Sequence, residues 1–437
     1  MIAITKIKEI LSKYNAFLLL VLSVFILYLA NLPIDYAKDL ENGLYRRMLP
    51  SDDVIPNTFL PYVLIKERTF NFTSIYNTLN TFDEPEHKEN PYFLIPTAKG
   101  YVSSYPVLTG LFATPIYYFP LVLDKIPELT YHENILKLAL LGRVAAAFYS
   151  ALSVGIFYLI CLKVSNNNKL SLIFSIFYAF GTGTYSISSR GLWMHTISQF
   201  LFSITLLLLL LPDERKHKYL AVGLTLGLNV INRPTGIVMA IVILIYVLIY
   251  KRKYFFSFLA GILPTFAAYL FNNYYLFGSV FSEGYTARGA ANEWTGSWLQ
   301  SIPAFLVSPA RGFLFISPPL LLGFAGMYKK MKEKDTLYTF LTIGYIGSVL
   351  LIGKWYAWHG ANAFGHRMLV DYLPFIGLFS FLAVKDLKNN LLGIIVILMI
   401  LSVYVHLNAV INRKSRCDEA HNWTFYCLKW PDRPPQY

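Results

Sequence analysis

Cysteine is nearly absent from this sequence: 437 residues contain three. Cys161 lies within an apolar run and cannot belong to a disulfide framework. Cys417 and Cys427 share the last stretch of the chain, and the expectation there is a single local disulfide facing an oxidising compartment, with two free thiols the alternative. Charge is scarce as well. Charged residues make up 14% of the chain, with 25 acidic against 38 Lys and Arg, well below the roughly 25% usual in a soluble domain. The surplus of +13 is not gathered into a basic extramembrane domain, so nucleic acid is not an expected partner. No P-loop, dinucleotide fingerprint or nucleophile elbow occurs, and Gly181-Thr182-Gly183 is too short and too apolar in its setting to hold a nucleotide. Metal-ligand spacing is also missing. His359 and His366 are seven apart, there is no Cys/His cluster, and Asp52 with Asp53 offers fewer oxygens than a hard cation wants. The expectation is no metal site and no required cofactor, with a divalent ion at the acid pair as the alternative. No internal repeat is visible, which weakens a transporter reading, since many transporters are built from repeats.

What the sequence does have is hydrophobic length. Hydrophobic residues make up 55%, and runs near the roughly 20 residues that cross a bilayer recur throughout. They do not alternate with period two, which argues against an outer-membrane barrel. The expected fold is all-α: a polytopic transmembrane helical bundle of about eleven spans, a single integral membrane domain over 1–437. Lys6, Lys8 and Lys13 precede the first run without a small-residue cleavage site, so it reads as an uncleaved anchor. Spans are expected near 15–33, 136–162, 169–187, 195–212, 218–232, 235–250, 254–276, 312–328, 336–353, 369–384 and 391–411. The apolar stretch 107–123 contains Pro115 and Pro120 and is short. Treating it as a juxtamembrane helix puts Lys163, Lys169, the 213–218 loop, Lys251-Arg252-Lys253, Lys329–Lys334 and Lys385–Lys388 on the inner side, as the positive-inside rule requires. Residues 34–123 then form a long first external loop with juxtamembrane helices, including an amphipathic piece over Asp35–Met48. The tail 412–437 is external on the same scheme, although Arg413, Lys414 and Arg416 fit the rule poorly.

That scheme gathers the unusual residues on one face. The stretch Ser51-Asp52-Asp53-Val54-Ile55-Pro56 follows the first span, and a carboxylate beside an apolar layer can take a proton from a hydroxyl. A solvated turn before the proline is the plainer alternative. Arg190, His195, Arg233, Lys354 and Arg367 stand at or near span ends on the same face, where charge is expensive, and read as candidates for holding a phosphate. Arg288, Arg311, His359 and His366 share that face. Snorkelling to lipid headgroups is the alternative for any one of the cations. Trp355, Trp358 and His359 are candidates for substrate contact, with an interfacial aromatic belt the alternative for the tryptophans. Asn71-Phe72-Thr73 and Asn422-Trp423-Thr424 match the glycosylation sequon at a near-chance frequency.

Several segments together resemble the GT-C superfamily of polyprenyl-phosphate-sugar glycosyltransferases, which includes the protein O-mannosyltransferases and the lipid A aminoarabinose transferases. They are Asp53 with Pro56-Asn57-Thr58-Phe59-Leu60-Pro61; Gly100-Tyr101-Val102-Ser103-Ser104-Tyr105-Pro106; Leu192-Trp193-Met194-His195; Ser308-Pro309-Ala310-Arg311-Gly312; Trp358-His359-Gly360 through Phe364-Gly365-His366-Arg367; and Trp430-Pro431-Asp432. They are similar above all to a bacterial branch of that superfamily. The resemblance implies an inverting transferase in which the first-loop acid is the catalytic base. Asp53 fits that role better than Asp52, through its spacing to the proline run. It also implies a polyprenyl-phosphate sugar as donor, a lipid, glycan or protein as acceptor, membrane lipid as surroundings, and a multi-pass position in a bacterial or archaeal cytoplasmic membrane with the active site outside. The chain departs from the family pattern at His366, where Pro precedes the Arg. A transporter or flippase for a lipid-linked or anionic solute is the alternative function.

Overall fold

The computed structural model describes residues 2–411, apart from 46, 83–90, 127–128, 130, 213, 288 and 362. The chain is a bundle of helices: α1 Ile2–Leu29, α2 Leu32–Glu41, α3 Ile55–Ile65, α4 Thr73–Phe82, α5 Leu108–Val122, α6 His132–Ser165, α7 Asn168–Phe180, α8 Gly183–Ser186, α9 Met194–Leu210, α10 Lys216–Asn232, α11 Ile237–Tyr250, α12 Phe255–Phe277, α13 Gly284–Ala287, α14 Trp298–Val307, α15 Phe313–Ile316, α16 Leu322–Lys332, α17 Thr336–Lys354, α18 Leu373–Val384 and α19 Asn389–Ile411. It is a polytopic helical membrane protein. Six helical stretches among the described residues are long and apolar enough to cross a bilayer, and shorter apolar helices lie among them.

The helices depart from the expected spans where the sequence breaks them. The 169–187 run ends as a helix at Phe180, because Gly181 closes α7 and Thr182 caps α8. The 312–328 run is interrupted at Ser317, where Pro318 and Pro319 cannot continue the hydrogen bonding of α15. The amphipathic piece expected to reach Met48 stops at Glu41. Its buried Asp39 carboxylate instead accepts the backbone N–H groups of Arg47 and Met48, at 2.7 and 2.8 Å, and so folds the chain back. One element was not foreseen: an antiparallel hairpin of β1 Leu94–Thr97 and β2 Gly100–Ser103, turned at Gly100 with φ +92°. The expected Cys417–Cys427 disulfide, the Asn422 sequon and the tail lie outside the described residues, as does Arg288.

Helix directions follow from contacts. Helix α6 has 34 residues, about 50 Å at 1.5 Å each. Phe25 of α1 meets Phe148, while Val21 and Phe17 crowd Gly155, so α1 runs antiparallel to α6. Helix α3 packs near the start of α6, with Thr58 against Gly142. Ser165 is about 35 Å of helix away from Gly142. The 163–169 turn therefore lies at the far end of the bundle from Asp53 and α3, as the basic-loop pattern predicts. Other basic segments collect at that far end. Lys385 donates to the Val164 carbonyl at 3.1 Å and Lys329 pairs with Asp386 at 2.8 Å. Lys251 joins Glu214 at 3.1 Å beside Lys218. Helix α5 runs alongside α3 in the same direction, with Gly110 against Leu60 and Asn57 at their starts and Asp124 paired with Lys66 at their ends, and it bonds through Thr109 to Asn232.

Candidate functional site

The acid pair opens α3. Ser51 caps a 3-10 turn over Asp52–Val54, its hydroxyl accepting the Asp53 N–H at 3.3 Å. Two contacts dock this turn on the 190–193 segment. Asn57 donates to the Leu192 carbonyl at 3.2 Å, and Pro50 fills the space left by Gly191, where a Cβ would come within 2.8 Å of the proline ring. Asp53 thus stands beside Trp193, and Arg367 arrives there from the other end of the chain. Its guanidinium lies 4.3 Å from the centre of the Trp193 ring and donates to Asp53 Oδ2. Tyr105 and Tyr92 donate to Asp53 Oδ1 at 2.7 and 2.8 Å. Burial pushes the Asp53 carboxyl up, but the charge of Arg367 and the hydrogen bonds from Tyr105, Tyr92 and Arg367 outweigh it. Asp53 is held below the usual carboxylate range.

A second carboxylate lies one helical turn from Arg367. Asp371 accepts from His195 Nδ1 at 2.8 Å and pairs with Arg233 Nε, all three side chains being buried. Because the carboxylate is an acceptor, Nδ1 carries the hydrogen and Nε2 keeps its lone pair. Asn232 places Arg233 by donating to the Met194 carbonyl and to Ser198, at 2.9 and 3.0 Å. A third carboxylate, Asp35 of α2, takes Arg190 at 2.9 Å and Arg143 of α6 at 3.6 Å.

Of the residues singled out by sequence, Asp53 and Arg367 meet, and Arg367 and Arg233 both lie within electrostatic reach of His195. Arg190 and Arg233 are each paired with a protein carboxylate. Asp52 is half-buried and also has partners. Lys354 stands apart from these pairs, its ammonium 4.7 Å over Trp298. Trp355 packs with Trp294 and Tyr356, whereas Trp358 is buried on Phe305 and forms part of the packing instead of an open aromatic surface. His359 accepts the Ala361 N–H through Nδ1 at 3.0 Å. Burial, with help from Arg311 and Arg367, pushes its pKa down to about 4, so at neutral pH it is an acceptor and not a cation. Arg311 is fully buried and donates to the carbonyls of Ala361 and Ala363 at 2.7 and 3.1 Å. It holds the loop before Arg367, which passes through left-handed backbone at Gly360, Ala361 and Gly365.

The sequence reading missed Asp371, Arg143, Tyr92 and the partner role of Asp35. A signal existed for two of them: Asp371 and Arg143 are charges inside expected spans, where such residues pair and mark function. The tyrosines carried none. Among the described residues, no group of three or more His, Cys, Asp or Glu is arranged to hold a metal ion.

Comparison with known proteins adds one likeness in fold. No family model matches the chain, and no curated protein matches it. A solved structure does resemble it. That structure is the crystal structure of ArnT from Cupriavidus metallidurans bound to undecaprenyl phosphate, 14% identical, with a TM-score of 0.49. The match covers 82% of this chain and 64% of that one, so the chain spans less than two thirds of the length of ArnT.

Proposed function

We propose that this protein is an inverting glycosyltransferase that moves a sugar from a polyprenyl phosphate to an acceptor hydroxyl at the external leaflet of a bacterial or archaeal cytoplasmic membrane. What supports the reading is the meeting of Asp53 and Arg367, 314 residues apart in sequence, at the end of the bundle away from the basic turns. A base and a phosphate-binding cation side by side are what the reaction needs. Asp53 takes the proton of the acceptor hydroxyl as its oxygen attacks the anomeric carbon. The bond from that carbon to the phosphate oxygen breaks with its electrons going to the phosphate, and the configuration inverts in this single displacement. Arg367, with Arg233 behind it, stabilises the charge that develops on the departing lipid phosphate, while His195 donates to Asp371 and helps to hold Arg233 in place. Arg367 donates to Asp53 and so holds the acid. The donor is a phosphodiester with one negative charge and two non-bridging oxygens that a guanidinium can fork, so donor binding draws Arg367 onto the phosphate and frees Asp53 for the acceptor; the second charge appears on the phosphate only as the bond breaks. Lys354 lies on the same face and would meet the headgroup region, with Trp355 and His359 beside the acceptor path, whereas Arg190 is buried against Asp35 and braces the site. Cations serve the leaving group here, and no cofactor is required.

The test is transfer of radiolabel from a panel of polyprenyl-phosphate sugars into membrane extracts, comparing wild type with Asp53→Asn. Label incorporated by wild type and not by the variant supports the reading. Equal incorporation by both overturns it.

A further inference from the structure

Asp53 has two oxygens and they are not equivalent. A carboxylate oxygen offers two lone-pair directions. Oδ1 has both filled, by the hydroxyls of Tyr105 at 2.7 Å and Tyr92 at 2.8 Å. Oδ2 has one partner, a single N–H of Arg367. The two phenols come from the flanks of the β1–β2 hairpin, Tyr92 before β1 and Tyr105 after β2, so the hairpin delivers both donors to one atom. Tyr105 is well packed, 8% exposed and edge-on to Tyr285 with ring centres 5.8 Å apart. Tyr92 packs edge-on against Phe93.

We infer that Tyr92 and Tyr105 select the reacting oxygen of Asp53, occupying Oδ1 so that the acceptor hydroxyl is met at Oδ2. The inference rests on the transferase reading above and names positioning residues for it. The proton of the acceptor passes to Oδ2, the oxygen already beside Arg367 and therefore beside the donor phosphate. The same two bonds fix the plane of the carboxylate, since an acid held on one oxygen by two donors cannot rotate freely about its Cβ–Cγ bond. The phenols stay protonated in this role: burial and the charge of Asp53 both push the Tyr92 hydroxyl above its ordinary value. They also stabilise the ionised base. The groups facing Asp53 are Arg367, Tyr105 and Tyr92, with Asp52 as its neighbour in the chain.

The experiment uses the full-length protein in lipid nanodiscs, as wild type, Tyr105→Phe, Tyr92→Phe and the double variant. Two readouts are taken. The first is the pH profile of sugar transfer. Loss of each donor weakens the ionised form of Asp53, so the acidic limb moves to higher pH in each single variant and furthest in the double. The rate constant kcat falls while KM for the donor is unchanged, because neither phenol touches the phosphate. The second is an infrared titration of the carboxyl stretch, assigned as the difference from Asp53→Asn, which moves in the same direction and needs no activity. Variants with unshifted profiles and an unshifted carboxyl band overturn the inference, and so does a fall in rate from unfolding alone, seen as a lowered Tm without a pH shift. If wild type transfers no sugar under any condition while the carboxyl band still responds to the tyrosines, the transferase reading fails and the Tyr–Asp53 coupling stands by itself.

Discussion

Asp53 and Arg367 are held by one another, and the consequence of removing each differs. Asp53→Asn preserves shape, but it keeps one acceptor oxygen instead of two, loses the charge that pairs with Arg367, and cannot accept a proton. Transfer should fall by roughly 10²–10⁴-fold, with the circular dichroism and detergent-solubilised Tm close to wild type. Asp52→Asn should keep transfer; the reverse pattern would make Asp52 the base. His359 offers a separate test through pH. Its pKa in the folded protein is about 4 against an ordinary value of 6.5. Between those values the unfolded chain binds the proton and the folded one does not, so stability rises with pH there. The contribution is complete above pH 6.5 and is lost as pH falls towards 4. His359→Gln should reduce the slope of the Tm profile across that window, and an unchanged slope would show that the ring is not buried. Asp53 and Arg367 were visible in sequence as charges beside apolar runs. Tyr92 was not, and Tyr105 stood out only as part of the Gly100–Pro106 segment and without a role, because a tyrosine in an aromatic-rich membrane protein looks the same whether it packs or donates.

Among the elements, α10 and α12 show how packing places a site residue. Their contact is made of glycine. A Cβ at Gly223 would come within 2.1 Å of the Phe258 carbonyl, one at Gly261 within 2.1 Å of the Leu220 carbonyl, and one at Gly227 within 2.1 Å of the Thr265 hydroxyl. Backbones this close are a membrane solution, where small residues allow helices to approach without help from the hydrophobic effect. Helix α10 ends in Asn232 and Arg233, so the glycine seam sets where Arg233 stands. Gly223→Val should separate the pair and destabilise the protein by about 1–3 kcal/mol through overpacking, read as a lowered Tm. Gly261→Val should do the same from the facing helix. Variants with wild-type Tm would show that the helices are not in contact. Length and hydropathy placed these two helices to within a few residues. The interruption at Pro318 escaped a reading by hydropathy because it lies inside an apolar run, and the one at Gly181 because the glycines, threonines and serines that follow it carry no charge to mark a break.

For the whole molecule, charge separates to the two ends of the bundle: lysines at the turns near Val164, Glu214 and Asp386, and arginines paired with acids around Asp35, Asp53 and Asp371. The positive-inside pattern predicted this polarity, including the placement of residues 163–169 opposite α3. It could not predict the pairs, since pairing across hundreds of residues leaves no trace in local periodicity. In a variant with its native cysteines replaced, Cys at Asn166 and Cys at Arg68 should react with impermeant thiol reagents from opposite faces of sealed membranes. Labelling of both from one face would refute the arrangement.

The 314-residue separation of Asp53 and Arg367 also has a meaning in time. At 5–20 residues per second, the ribosome needs on the order of tens of seconds to make the segment between them. Throughout that interval the nascent chain carries an acid at the membrane surface without its counter-ion, and no arrested or truncated product that stops short of the Arg367 loop can complete the pair. Competence is therefore acquired only after every helix from α1 to α17 has been made.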